Sequence, residues 1–318
     1  MTLFKDIDPV WLSIFAFVLG AFIGSFLNVC IYRIPRGESI VLPGSHCPKC
    51  KTTIRFYDNI PIVSYFLLLG RCRTCHAPLS LQYPLVELVT ATLSWLVFER
   101  FGTTIDFVGY FALTAALIVV SGIDLGYRII PDRISLSGIA AGLVFSLVTT
   151  GMDLLDSVVG MVAGGGSLLL VTLGYAGFVR LREKVRGRTH REETERVLEG
   201  LSLRELKNEA ALYGIETENL STREEIIETI SEAKSEGMGG GDIKLLAMIG
   251  AFLGGWKSIL FVILSGSFLG CVVGIPLMLL KQRDSKYAIP FGPFLSASAI
   301  IYILWGPDII RWYYHLGR

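Results

Sequence analysis

Residues 105–124 read IDFVGYFALTAALIVVSGID, and no charged residue falls between Asp106 and Asp124. A helix needs roughly 20 apolar residues to cross the hydrocarbon core of a bilayer, and this stretch is close to that length. It ends on a carboxylate, which is costly at a membrane boundary and asks for a reason. The stretch decides the fold class: lipid is the solvent it is written for.

The same pattern repeats in both directions along the 318 residues. About eight such runs stand out: Trp11–Tyr32, Tyr83–Phe101, Ile105–Ile123, Ile134–Thr150, Ser157–Val179, Ile243–Trp256, Ser258–Leu280 and Ile289–Trp305. The sixth is short and could tilt or break. Mean hydropathy is +0.56. Only 18% of residues are charged, and those cluster in the connections, as in a polytopic α-helical membrane protein. A net charge of +1 gives no bulk attraction to nucleic acid. The first ten residues, MTLFKDIDPV, carry one Lys and two Asp. That is a poor basic leader for a cleavable signal, so the first run is read as a retained span.

Lys and Arg near span ends set orientation. The segment 33–82 carries Arg33, Arg36, Lys49, Lys51, Arg55, Arg71 and Arg73 against Glu38 and Asp58. It is expected in the cytosol, with the N-terminus outside. Alternation then puts Arg128 and Arg133 inside. It does the same for the cluster Arg180, Arg182, Lys184, Arg186, Arg188 and Arg191, and for Lys281, Arg283 and Lys286. Arg311 and Arg318 at the outer end are mild exceptions.

Five regions follow: 1–32, the first span; 33–82, a cytosolic four-cysteine loop; 83–180, spans two to five; 181–236, a cytosolic helical insert; and 237–318, spans six to eight. In the insert, Leu203, Leu206, Ala210 and Tyr213 share one helical stripe. Ser221 or Thr222 can cap a second helix. From 201 to 236, Arg204, Lys207, Arg223 and Lys234 face nine Glu, which would repel a phosphate backbone. A docking or spacer module is the expectation, not nucleic-acid binding.

Four of the six cysteines form two pairs, Cys47-Pro-Lys-Cys50 and Cys72-Arg-Thr-Cys75, with twenty-one residues between them. Two residues between thiolates let one turn present both sulfurs to one ion, and two such turns complete a tetrahedron. In a reducing compartment a structural zinc is the expectation. Lys49, Lys51, Arg71 and Arg73 would offset the thiolate charge. Redox-active or idle turns would leave the same pattern. Cys30 and Cys271 lie inside apolar runs and are expected to be small buried hydrophobes.

Asp124, Asp132 and Asp242 all fall near the cytosolic face in this topology. Two carboxylates at a shared depth can share a proton, one acting as base on a water and the other as acid toward a carbonyl. Simpler roles fit too. Asp242 after Gly239-Gly-Gly241 could cap a helix, Asp132 after Pro131 could cap or turn, and Asp124 could merely end one.

Together these residues resemble the type IV prepilin peptidases, which are intramembrane aspartic proteases. The likeness rests on Gly24-Ser-Phe-Leu-Asn-Val-Cys-Ile-Tyr-Arg-Ile-Pro35, both CxxC pairs, Tyr57-Asp-Asn-Ile-Pro-Ile-Val-Ser-Tyr65 and Gly70-Arg-Cys72. It extends to Gln82-Tyr-Pro-Leu-Val-Glu87, Asp124 with Ile130-Pro-Asp132, and the GxGD stretch Gly239-Gly-Gly-Asp242-Ile-Lys244. The resemblance implies that Asp124 and Asp242 are the catalytic pair. Many members carry a second acid two residues after the first; here that position is Gly126. The resemblance also implies cleavage of the short basic leader of prepilins or pseudopilins at the cytosolic face of the bacterial inner membrane, in type IV pilus or type II secretion systems. Members with the zinc loop also methylate the new N-terminus from S-adenosylmethionine. No nucleotide-binding glycine motif shows this independently, and Gly164-Gly-Gly166 is expected to be a helix-packing surface. Asp58 and Glu87 are candidate contacts for the leader. The insert is unlike typical members. Two competing readings are a zinc-stabilised scaffold or transporter with buried acids, and a GxGD protease with unrelated substrates.

Overall fold

The computed structural model describes residues 8–186, most of 198–206 together with residue 210, and 222–235, 240–281 and 290–316. Among these residues the chain is helical, and its only β features are the isolated bridges His46–Thr53 and Arg71–Pro78.

Each expected span coincides with a helix. They are α1 (Pro9–Arg33), α3 (Gln82–Phe101), α4 (Ile105–Tyr127), α5 (Asp132–Ser146), α6 (Leu154–Arg186), α8 (Gly240–Leu253), α9 (Gly255–Lys281) and α10 (Gly292–Leu316). The loop after α1 holds the short α2 (Val63–Leu67), and the insert holds α7 (Arg223–Ser235). Arg188, Arg191, Arg283, Lys286 and Gly237–Gly239 lie outside the described residues.

Five helices among the described residues are long and apolar enough to cross a membrane: Pro9–Arg36, Ile105–Tyr127, Leu154–Phe178, Gly255–Pro276 and Gly292–His315. Helices α3, α5 and α8 fall short of that standard, so eight full spans are not established. Helix α8 has 14 residues, about 21 Å at 1.5 Å per residue, against a bilayer core of about 30 Å. Its apolarity serves the protein interior instead. Leu245 through Phe252 are all buried, and Leu246, Met248 and Ile249 join the main core with Leu117, Val120 and Leu295.

Small residues let α8 sit there. A Cβ on Gly160 would strike the carbonyl of Gly250, a Cβ on Gly250 would strike that of Gly160, and one on Gly164 would strike that of Leu246. Helices α6 and α8 therefore touch backbone to backbone. Ser157 Oγ adds a hydrogen bond to the carbonyl of Ala251 at 2.6 Å. The expected packing role of Gly164-Gly-Gly166 is seen at Gly164 and Gly165, whereas Gly166 faces open space. Helices α1 and α3 pack in the same way, with Ser94 Oγ bonded to the carbonyl of Ala16 at 2.8 Å.

The outward faces are apolar. Trp11, Phe15, Phe22 and Phe26 on α1, and Leu264, Phe268 and Val272 on α9, are exposed in the isolated chain, as a lipid-facing surface should be. Cys271 shares that surface. It corrects the expectation of a buried thiol, which holds for Cys30, because its helix turns that side outward. The insert keeps its own small core of Leu198, Leu206, Ala210, Ile226, Ile227 and Ile230. Leu203, expected in that stripe, is 49% exposed, and Tyr213 lies outside the described residues. Among its described residues two helix starts are capping boxes. Ser202 pairs reciprocally with Glu205, and Thr222 with Glu225.

Candidate active site and metal centre

Asp124 sits in the last turn of α4 and is 6% exposed. Asp242 sits in the first turn of α8. Gly241, which precedes Asp242, and Gly292, whose amide meets Asp124, both pack against Ile130, so the two acids stand at neighbouring helix ends. The α4 helix ends one turn later, where Arg128 takes a left-handed conformation at φ 56° and donates its amide to the Asp124 carbonyl at 2.9 Å. The chain then passes through Ile130, which packs against both Gly241 and Gly292. Chain reversal after α4 thus closes one side of the site.

A third element completes it. The amide of Gly292, at the start of α10, donates to Asp124 Oδ2 at 3.1 Å. A Cβ at residue 292 would stand 2.6 Å from that oxygen, so a side chain there would have to displace the carboxylate. The N-terminus of a helix also favours negative charge. Gly292 is a contact of Asp124 that sequence reading passed over; the Gly292-Pro293 start of an apolar helix was its only signal.

Asp132 does not join the pair. Both its oxygens accept from Lys244 Nζ, at 2.7 and 2.8 Å. This bridge ties the start of α5 to α8 and is solvent-exposed, 38% at Lys244 and 58% at Asp132. The Ile130-Pro-Asp132 and Asp242-Ile-Lys244 stretches are therefore two halves of one clamp.

The loop between α1 and α3 is two copies of one knuckle. In the first, Cys47 donates its amide to the Thr52 carbonyl, Lys51 donates to the Cys47 carbonyl, and His46 bridges Thr53. In the second, Cys72 donates to Ala77, His76 donates to Cys72, and Arg71 bridges Pro78. The residue after each second cysteine, Lys51 or His76, takes a positive φ of 59° or 55°. That turn folds each pair back so its sulfurs face the other pair. All four sulfurs lie within 4.8 Å of one another, with Cys47–Cys75 at 3.8 Å and Cys50–Cys72 at 3.9 Å. A tetrahedron with metal–sulfur bonds of about 2.3 Å has edges of about 3.8 Å. Donor set and spacing both fit zinc.

Two cations brace this loop. Arg33 is buried and donates to the carbonyls of Ser39, Pro43 and Gly44 at 2.9, 2.7 and 3.4 Å. Arg73 grips Asp58 through Nε at 2.8 Å and a terminal nitrogen at 2.5 Å, holding that carboxyl below its usual range. Glu87 is buried on α3 and accepts the Ile62 amide at 2.7 Å. Asp58 and Glu87 both line a cavity of about 400 Å³ between α1, α3 and the loop.

Residues 18–101 match the model of the bacterial peptidase A24 N-terminal domain, and residues 111–275 match that of the type IV leader peptidase family. Similar proteins include one from Aeromonas hydrophila, 33% identical over 93% of this chain and 92% of its own length. Another, from Pseudomonas putida, is 31% identical over 96% and 95%. A third, from Neisseria gonorrhoeae, is 32% identical over 90% and 88%. Each is named a prepilin leader peptidase/N-methyltransferase. No solved structure matches. Two aspartates at neighbouring helix ends and two thiolate knuckles thus occur together in a chain that both models match, and this chain belongs to the type IV leader peptidase family.

Proposed function

We propose that this chain is a multi-pass inner-membrane aspartic endopeptidase that removes the leader of type IV prepilins or pseudopilins, with Asp124 and Asp242 as its catalytic pair. What supports the reading is that the end of α4, with Asp124, and the start of α8, with Asp242, converge on Ile130 beside the start of α10. One carboxylate takes a proton from water as the water oxygen bonds to the scissile carbonyl carbon. The protonated partner donates toward the carbonyl oxygen, and the C–N bond breaks with the amine leaving protonated. The Gly292 amide fixes one oxygen of Asp124 throughout. The relatives, all named as peptidases, give the scaffold or transporter reading no support.

The four thiolates of Cys47, Cys50, Cys72 and Cys75 would hold one zinc with no open position, a structural role. The names of the relatives also favour N-methylation of the freed terminus, with S-adenosylmethionine as donor. The charge pattern supports a cytosolic loop at 33–82, a cytosolic insert at 181–236 and an outer N-terminus, with helix groups 83–180 and 237–318 each supplying one acid. Asp58 and Glu87 are proposed to shape the loop that receives the leader.

Purified chain in detergent, incubated with a candidate prepilin, should convert it to two products by mass spectrometry, the larger one also gaining a methyl group when the donor is added. An intact prepilin after incubation with zinc-loaded, folded chain would overturn the peptidase assignment.

A further inference from the structure

Residues 59–70 read NIPIVSYFLLLG and carry no charge, while Arg55 and Asp58 precede them and Arg71 and Arg73 follow. An apolar run of this length is too short to cross a bilayer; it is either buried in protein or laid into one leaflet. Arg73 grips Asp58 at 2.8 and 2.5 Å, which closes the run at its base as a loop. Inside the loop lies α2, and its two sides differ. Ser64, Tyr65 and Leu68 line the cavity against α1 and α3. Val63, Phe66 and Leu67, spaced i, i+3 and i+4 on one helical face, turn the other way and are 51%, 66% and 77% exposed. Leu69 just beyond them is 85% exposed. Among the described residues nothing covers this apolar face, and leaving it in water is costly.

A tether fixes the depth of α2. The Ile62 amide, just before the helix, donates to the buried carboxylate of Glu87 at 2.7 Å. Ile62 holds a φ of 64° there, which is rare for a β-branched residue. Glu87 stands five residues into α3 from Gln82, about 7.5 Å along its axis. Helix α1 gives the same answer. A Cβ on Gly24 would stand 2.7 Å from the Glu87 Cα, and Gly24 is nine residues before the end of α1 at Arg33, about 13.5 Å. The start of α2 therefore lies below the ends of both helices that carry the loop, at the depth where interfacial helices bury their apolar side. Helix α1 is long and apolar enough to cross a membrane. Its outward Phe22 and Phe26 line the same cavity as the inner side of α2, so the apolar face of α2 adjoins the lipid-facing surface of α1.

We propose that residues 60–69 form an interfacial segment seated in the acyl chains of one leaflet, with Val63, Phe66, Leu67 and Leu69 against lipid and Arg55 and Arg71 at its phosphates. This is independent of the peptidase reading. The backbone suits lipid. The amides of Ser64, Phe66, Leu68, Leu69 and Gly70 donate to carbonyls within residues 60–66 at 2.9–3.4 Å, so none of them needs water, which hydrocarbon cannot supply. Glu87, an acid at that depth, gains from Ile62 a donor in place of water. The cations suit it too, since Arg55 and Arg71 are exposed at the two ends of the uncharged run, where an anionic phosphate layer attracts them. A second copy of the chain or an apolar substrate helix would also fit an apolar face, but neither explains the depth of the tether. The two cysteine knuckles flank the run, which sets them at the membrane surface.

The test is photocrosslinking of the full chain in nanodiscs of phosphatidylethanolamine and phosphatidylglycerol. Benzoylphenylalanine is placed at Phe66 and, as a reference, at Phe268 on the outward side of α9, and adducts are identified by mass spectrometry. Lipid adducts at Phe66 are expected at a yield comparable to that at Phe268. Adducts only to the chain itself or to a second copy overturn the proposal by giving the face to protein. No adduct at Phe66 beside a clear one at Phe268 overturns it by giving the face to water. Adding a candidate prepilin should leave the lipid adducts in place; their replacement by prepilin adducts would assign the face to the substrate. A second measurement needs no probe. Phe66→Asp combined with Leu67→Asp charges the lipid side while the Glu87 tether and the cysteines keep their groups. Amide hydrogen exchange across residues 60–69 should then rise about tenfold or more, with zinc content checking that the loop is folded. Exchange as slow as in the wild type overturns the proposal, because a face already in water loses nothing by gaining charge.

Discussion

Asp124 and Asp242 carry the chemistry in this reading, and their replacements separate it from a capping role. Asn keeps the size and the capping ability of Asp but cannot move a proton. Asp124→Asn and Asp242→Asn should each lower leader cleavage by at least about a hundredfold while the protein still accumulates in membranes; cleavage near wild type in either would remove the pair. Asp132→Asn only breaks an exposed bridge to Lys244, worth about 0–1 kcal/mol, and should cleave normally. Gly292→Ala is the sharper test. Alanine is at least as good a helix former as glycine, so α10 should survive, but the new methyl would stand 2.6 Å from Asp124 Oδ2. The carboxylate is the part free to move, so cleavage should fall about tenfold or more with an unchanged thermal midpoint, and wild-type kinetics would show that the Gly292 contact is dispensable. The two acids were legible because each closes or opens an apolar run. Gly292 was not, because nothing local in Phe291-Gly292-Pro293 reveals that it will meet a residue of α4.

At the level of elements, the cysteine loop was readable because its information is local: spacing within each CxxC and the turn after it. One zinc per chain is expected by elemental analysis of protein purified without chelator. Cys75→Ser should lose most of that zinc, because three thiolates leave the tetrahedron open, and should loosen the loop more than it slows cleavage; a full zinc complement would displace Cys75 from the site. The short helix α8 was harder to read. Periodicity and hydropathy are the same for a helix buried in protein as for one buried in lipid, so the sequence showed an apolar run but not what covers it. The cover is α6, through Gly160 and Gly164. Gly164→Val would push against backbone, which cannot yield as a side chain does, and should cost about 1–3 kcal/mol, read as a lower unfolding midpoint in detergent. Gly166→Val, two residues on and facing open space, should leave the midpoint in place. Equal effects from the two would mean that the glycine run acts through helix propensity and not through contact with α8.

Across the whole molecule, the core joins α4, α8 and α10 around the acids, and the insert stands apart with its own buried residues. Leu206 and Ala210 of its expected stripe are buried and Leu203 is not, while the Thr222 cap was legible because a Thr222–Glu225 box is written in a few neighbouring residues. Its position relative to the membrane rests on the charge pattern alone. The insert's acidic surface gives a basic leader something to meet. Yet among the described residues its buried cluster is made of its own side chains, and both acids proposed as the catalytic pair belong to helices outside it. Removing Leu201–Ser235 therefore takes away that cluster except for Leu198, and neither Asp124 nor Asp242. Cleavage by the shortened chain should stay within about threefold of wild type, since no reacting group is displaced, measured on the same prepilin with folding checked by zinc content. A well-folded, zinc-loaded deletion that cannot cleave would make the insert part of the active machinery. A reporter fused within the insert should report the cytosolic side. An external reading would move the loops at 33–82 and 128–133 outside with it by alternation, and would carry the acids away from the face where a leader emerges.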